Sequence, residues 1–337
     1  MSDQTPPHMQ LIQMGTGLWV SRIVYMAAEL ALADRLADGA KSAADLAGPT
    51  GTHERSLHRL MRTLVGFGIL AAVDETRFAL TPLGEALKSG APGAARETIL
   101  AFAGQWSWDG WREFLHSMQT GQTAVSKSLG MELFDYLATS PADAANFSAA
   151  MVGFHGGEPP AVAAAYDFSK AGTIVDVGGA TGNMLAHILT VHAGPRGVLF
   201  DRPHVVTGAP ALLAARGLSD RVSIAEGNFF ESVPAGGDVY ILSHIIHDWS
   251  EAQCLTILGH CRRAMKPESR LLIVEFVLPA GNEPHLGRLA DIVMLTFPGG
   301  EERTAAEYDV LLAKAGLTMN RVVPTASPVS IVEAKLA

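Results

Sequence analysis

The chain has 337 residues, 48% of them apolar, enough for two domains with a substantial core; this composition excludes extended disorder. The formal net charge is −9, from 34 acidic and 25 basic residues, so no global field draws the chain to nucleic acid. Cys254 and Cys261 are the only cysteines; seven apart in one expected helix, they read as buried or free thiols, not as a disulfide framework.

The opening MSDQTPPHMQ has no basic region and no cleavable apolar stretch, and residues 1–10 read as a frayed tail. Over 11–36 apolar residues recur at helical spacing: Leu18, Val20, Ile23, Val24, Met26, Ala27, Leu30 and Leu32. The face is wider than a lone surface helix needs, which implies burial against other helices, including those of a second subunit. Arg22 and Glu29 interrupt the run 18–33, making it too short and too charged to span a bilayer. A soluble cytoplasmic protein, with no membrane partner, is expected.

Ser42 opens a short helix as N-cap, and Thr52 is expected to cap a second, with Leu57, Leu60, Met61, Leu64 and Val65 inward and Gly66 and Gly68 ending it. Residues 69–80 read as a hairpin turning at Asp74–Thr76, so helix, helix, hairpin makes a winged-helix pattern. Thr81-Pro82 starts another helix. Residues 94–168 are helical and aromatic-rich, broken at Gly156-Gly157-Glu158-Pro159-Pro160. After Asp167 strands alternate with helices: strands at 173–177, 197–200, 222–225, 238–242 and 271–277, helices at 182–192, 208–216 and 251–264. This predicts a parallel sheet covered on both faces. Helix 304–315 and a hairpin of 318–324 with 328–334 close the chain and add an antiparallel strand.

The first of these strands runs into Asp176-Val177-Gly178-Gly179-Ala180-Thr181-Gly182, where small residues let backbone approach a ligand. The loop lacks the G-x-G-x-x-G of a dinucleotide site and the lysine of a P-loop. Asp176 would repel a diphosphate and attract an ammonium or sulfonium group. Asp201, ending the next strand, is placed to accept from ribose hydroxyls. A cationic nucleoside without phosphate, such as S-adenosylmethionine, satisfies both. The bland alternative is a tight strand–helix turn with no ligand.

The motifs DVGGATG (176–182), FDRPHVV (200–206), GNFFESVPAGGDVYILSHIIHDW (227–249), EFVLP (275–279) and GGEERT (299–304) carry a resemblance over nearly the whole chain. It resembles the S-adenosylmethionine-dependent small-molecule O-methyltransferases, which include plant caffeic acid and bacterial antibiotic O-methyltransferases. The resemblance implies a class I methyltransferase Rossmann-like sheet behind a winged-helix dimerisation domain at 10–95. The remainder, 96–337, would be a helical linker (96–165) and a catalytic domain (166–337). It further implies a homodimer formed through the N-terminal domain. On the cofactor side it implies Asp176, Gly178 and Gly179 at the methionine part, Asp201 at the ribose, Arg202, Asn228 and Phe229 at the adenine, and Ser243 near the methionine end. His247 would be the general base, flanked and oriented by Glu275 and Glu302. Ala180, Arg202, Asn228 and Ser243 depart from the family's usual glycine, leucine, aspartate and basic residue.

A neutral imidazole of pKa ~6.5 can take the proton of a phenol of pKa ~10 while methyl transfer proceeds in line by SN2. Trp106, Phe147, Met151, Phe154, Met294 and Phe297, with His155 as a polar contact, would line a flat aromatic pocket; ordinary core is the alternative. Glu302 with Thr304 can also be read as helix capping and Glu275 as a capped strand end. A metal at His244, His247 and Asp248 lacks further ligands in the sequence, and no metal is expected. The expected function is methylation of a phenolic or polyketide-like hydroxyl. N-methylation or a non-methylating activity on the same fold is the alternative. A winged-helix DNA-binding regulator is a third reading, resting on Arg55, Arg59 and Arg62, but residues 1–90 carry eight basic against nine acidic residues, so no nucleic-acid partner is expected.

Overall fold

The structure, a computed structural model of the single chain, describes residues 5–337. Residues 1–4 of the expected tail lie outside it. Residues from Pro7 form helix Pro7–Gly15, with proline at its first position, where the missing N–H costs nothing. The chain divides into two compact units, and each is discontinuous: residues up to Asp109 with Asp135–Gly156, and Gly110–Phe134 with Gly157–Ala337. These limits differ from the expected ones at 95/96 and 165/166. The helices of the stretch 96–165 are divided between the two units.

In the first unit the expected helix over 11–36 is three helices, Pro7–Gly15, Gly17–Glu29 and Leu32–Arg35. The second break falls at Ala31, which takes a left-handed φ of 48°. Helices Ala43–Thr50 and Glu54–Gly66 follow, the first opened by a reciprocal Ser42–Asp45 capping box. Thr52 caps nothing: the second helix starts after His53, and the Thr52 hydroxyl bonds to Thr50 at 2.8 Å. Strands Leu70–Ala72 and Arg77–Leu80 pair antiparallel, with Lys41–Ser42 as a third strand. Asp74 ties their turn by accepting the N–H groups of Thr76 and Arg77. Leu32, Leu46, Leu57, Met61, Leu64 and Phe78 form the core. Leu11, Ile12, Met14, Leu18, Trp19 and Val20 are exposed, so this apolar surface has no cover among the described residues.

The second unit holds a seven-stranded sheet: β1 (Thr173–Val177), β2 (Arg196–Asp201), β3 (Val222–Glu226), β4 (Val239–Ser243), β5 (Arg270–Glu275), β6 (Leu317–Pro324) and β7 (Ser330–Leu336). The order is β6-β7-β5-β4-β1-β2-β3, with β7 alone antiparallel to its neighbours. Ile174, Leu272, Val274 and Ile331 feed one buried cluster, and Val175, Val177, Tyr240, Leu271 and Ile273 another. The alternation of β-branched and aliphatic residues thus covers both faces. Strand order reverses between β1 and β4, where α/β sheets open a crevice at the carboxyl ends. The loops after β1 and after β4 meet there.

Two features were not expected. Helix Leu286–Thr296 occupies the long connection after β5, and the short parallel pair Val277–Leu278 with Arg303–Thr304 fastens the GGEERT segment beside the end of β5. Both cysteines are buried free thiols on helix Glu251–Ala264, which burial pushes up to about 12. Among the described residues no helix is long and apolar enough to cross a membrane.

Candidate active site

The glycine loop leaves β1 with Gly178 at φ 73° and Gly182 at φ 84°. A Cβ on Gly178 would strike the Ile245 side chain, and one on Gly179 would come within 2.5 Å of the Asp176 carboxyl carbon. The loop therefore needs Gly178 for close packing and for backbone freedom, and Gly179 for close packing. Ala180 adopts φ 50° without the exemption that glycine enjoys.

Asp176 has no exposed surface and lies beneath Gly179. Neither carboxylate oxygen makes a hydrogen bond among the described residues. Burial, and then the neighbouring Asp201 charge, push its pKa up to about 7, against a small opposing effect of the Leu185 N–H. A carboxylate so placed acts on a cation through its field, which a low-dielectric surround screens little.

Asp201 accepts the Ala180 N–H at 2.9 Å and the Arg202 N–H at 2.7 Å. It clamps the loop from β2 and retains lone pairs for a diol. Burial raises its pKa and these two N–H groups oppose the rise. Arg202 is exposed. Phe229 lies against the loop, 3.5 Å from where a Gly178 Cβ would stand, and its ring meets Phe230 and Trp249 edge-on. The Asn228 carbonyl accepts the Phe230 N–H at 3.0 Å and its amide faces Glu231, so a local turn engages the side chain. Ser243 ends β4, one residue before His244, whose φ is 53°. Unpartnered buried carboxylate, close-packed glycines and a flanking aromatic together fit a cationic nucleoside.

The loop after β4 forms the 3-10 turn Ile246–Asp248. His247 is 7% exposed; its Nδ1 lies 2.7 Å from Glu302 Oε1 and its Nε2 3.6 Å from Asp248 Oδ1. The Glu302 N–H is in turn bound by Asp291 at 2.9 Å. Burial alone would lower the His247 pKa, but Asp248, Glu302 and Glu275 together outweigh it and raise it to about 10. The imidazole is thus held protonated at neutral pH, where an unperturbed ring would be mostly neutral. Burial raises Glu302, and His247 opposes that rise.

Glu275 and Glu302 do not flank the ring together. Glu275 is fully buried, and its Oε1 accepts the N–H groups of Ile245, Ile246 and His247 at 3.1, 2.7 and 3.2 Å. It holds the backbone on which His247 stands, while Glu302 meets the imidazole at Nδ1 and Asp248 lies at Nε2. The sequence pointed to neither Ile245, which joins this turn to the glycine loop, nor Asp291, Tyr308 and the His244–Glu158 pair at 2.7 Å.

The seven residues expected around an aromatic acceptor fall in different units. Trp106, Phe147, Met151, Phe154 and His155 belong to the first, where Trp106 and Phe147 stack at 6.4 Å around Phe102. Trp106 is buried there and Phe154 is exposed. Met294 and Phe297 belong to the second, where Phe297 is buried edge-on to Trp111.

Known proteins place this geometry. The O-methyltransferase domain family matches residues 111–318, and the O-methyltransferase dimerisation domain family matches 12–90. The chain is 43% identical to a phenazine O-methyltransferase of Lysobacter antibioticus, over 96% of this chain and 95% of that one. It is 35% identical to the 8-amino-8-demethylriboflavin N,N-dimethyltransferase of Streptomyces davaonensis, over 97% and 94%. The structure of an O-methyltransferase from neocarzinostatin biosynthesis, solved with S-adenosylmethionine and 2-hydroxy-5-methyl naphthoic acid, aligns with a TM-score of 0.82 at 33% identity, covering 94% of this chain and 96% of that one. With a class I methyltransferase sheet, a dimerisation domain and a crevice suited to S-adenosylmethionine, this chain belongs to the S-adenosylmethionine-dependent O-methyltransferase family.

Proposed function

We propose that this enzyme methylates a hydroxyl of a small aromatic acceptor, with His247 as the general base. One observation carries the reading: the His247 ring, at the carboxyl end of β4, is gripped at Nδ1 by Glu302 and faces Asp248 with Nε2. Bound S-adenosylmethionine supplies a methyl group that is already electrophilic. The residues need only align the acceptor behind that methyl and hold the released proton. Asp248 and Glu302 bring the imidazole close in pKa to a phenol at ~10, so the neutral form of the ring, a fraction that grows with pH, takes the phenol's proton in a nearly balanced transfer. Glu302 fixes the tautomer that leaves Nε2 toward the acceptor. Asp176 favours the cation through its field, Gly178 and Gly179 admit it closely, Asp201 takes the ribose hydroxyls, and Arg202, Phe229 and Asn228 border the adenine. Ser243 stands near the methionine end without a charge to offer.

The similarity to an N,N-dimethyltransferase favours methylation of an aromatic amine as the second reading. An amine attacks through its own lone pair and sheds its proton afterwards, so it depends less on the base. His247→Ala separates the two. The variant is expected to bind S-adenosylhomocysteine normally and to lose about 10²–10⁴-fold in turnover of a phenolic acceptor. Phenol methylation at the native rate removes His247 from the mechanism.

The exposed apolar helices of the first unit, within the matched dimerisation family, support a homodimer in which a second copy covers them.

A further inference from the structure

We propose that Tyr308 is a positioning residue for His247, acting through the Glu275 carboxylate and the backbone of residues 245–247. Tyr308 is fully buried on helix Ala305–Lys314 and donates a hydrogen bond from its hydroxyl to Glu275 Oε2. The other oxygen of Glu275 gathers three successive backbone N–H groups, a concave nest that suits an anion. The same turn is held on its carbonyl side, where Ile246 O accepts from the Cys254 thiol at 3.1 Å and from Arg303 at 3.4 Å. Gly300 packs directly on the His247 carbonyl, leaving no room there for a side chain.

The turn therefore has one arrangement only while Glu275 keeps both oxygens satisfied. A phenylalanine would fill the same volume as Tyr308, so packing does not explain the hydroxyl. Without it one oxygen of a buried carboxylate lacks a donor, and the group must turn or take up a proton. Either response loosens the nest and shifts Nδ1 from Glu302. Burial, then the Glu275 charge, hold the phenol well above its usual range, so it stays a donor.

This inference rests on His247 as the base, and the test separates the two. Tyr308→Phe in the full-length enzyme is expected to lower kcat about 10–100-fold, with S-adenosylhomocysteine affinity within twofold of native. The ¹⁵N resonance of His247 Nδ1 is expected to move, as is the pH profile of kcat/KM. Glu275→Gln keeps the shape and is expected to move the same resonance, a check that stands if Tyr308→Phe folds poorly. Adding Tyr308→Phe to His247→Ala is expected to change turnover less than twofold. Native kcat with an unmoved His247 resonance overturns the proposal, as does an equal loss of kcat and S-adenosylhomocysteine affinity. A moved resonance with undiminished turnover in His247→Ala keeps Tyr308 as the support and removes His247 as the base.

Discussion

His247 and Glu302, 55 residues apart in the chain, meet at 2.7 Å between Nδ1 and Oε1, nearly closed to solvent. The carboxylate fixes the ring and raises its basicity, whereas Glu275 binds the turn beneath it and acts on the ring through its charge. Two glutamates of one motif set thus have different tasks, and their replacement separates them.

Glu302→Gln keeps an acceptor for Nδ1 but removes a charge that raises the His247 pKa. The imidazole then deprotonates at lower pH and becomes a weaker base. Turnover of a phenolic acceptor is expected to fall about 10–100-fold. In the wild type kcat/KM is expected to climb with pH toward about 10, and in the variant the limb should move to lower pH. A pH–rate series on both proteins checks this; coincident limbs would refute the coupling.

The same raised pKa links His247 to stability. A histidine at 6.5 when unfolded and about 10 when folded stabilises the fold fully below pH ~6.5, and this contribution is lost as pH rises through about 10. Urea midpoints between pH 7 and pH 10.5 should therefore fall more steeply for the wild type than for His247→Asn. Parallel curves would assign the alkaline loss to other groups.

Asp176 works with the opposite charge. Its carboxyl, ordinarily near 3.8 and here about 7, favours the fold when protonated. That stability is full below pH ~3.8 and is lost as pH rises through 7, on the order of 4 kcal/mol at ~1.36 kcal/mol per unit. A bound cation offsets the loss. Affinity for S-adenosylmethionine should rise with pH up to about 7, with a proton released on binding. Calorimetry in buffers of different ionisation enthalpy reads that proton, and Asp176→Asn should abolish it.

Ala180 stands at φ 50°, where an L residue crowds its carbonyl. Ala180→Gly relieves that strain and adds some unfolded-chain entropy, so a net stabilisation of up to about 1 kcal/mol is expected. A thermal melt measures it. A lower melting temperature would show that the Asp201 clamp on the Ala180 N–H already favours alanine.

Trp19 and Met14 are 63% and 74% exposed on helices within the matched dimerisation family. Trp19→Glu with Met14→Glu should convert a dimer into a monomer without unfolding it, because neither side chain belongs to the core. Light scattering after size exclusion decides: a wild type that is monomeric at micromolar concentration would contradict the homodimer.

The parallel sheet, its antiparallel last strand, the glycine loop and the helices at 251–264 and 304–315 were legible in the sequence, because each is written in local spacing. A two-residue period, a run of glycines after a strand or a serine before a helix needs no distant partner to be read. His247, Glu275 and Glu302 were legible as a set through their motifs. Only the tertiary structure decided what each touches. Glu275 faces three N–H groups from 28 to 30 residues upstream, Asp176 lies under its own loop, and Glu275 and Glu302, from separate segments, join the adjacent Asp248 in turning His247 from a mostly neutral ring into a protonated one. Helix 11–36 divided at Thr16 and Ala31, and the units divided inside the helical stretch, for the same reason. Contacts between residues far apart in sequence, and the burial they create, set pKa values and compact boundaries, and neither leaves a periodic trace in the chain.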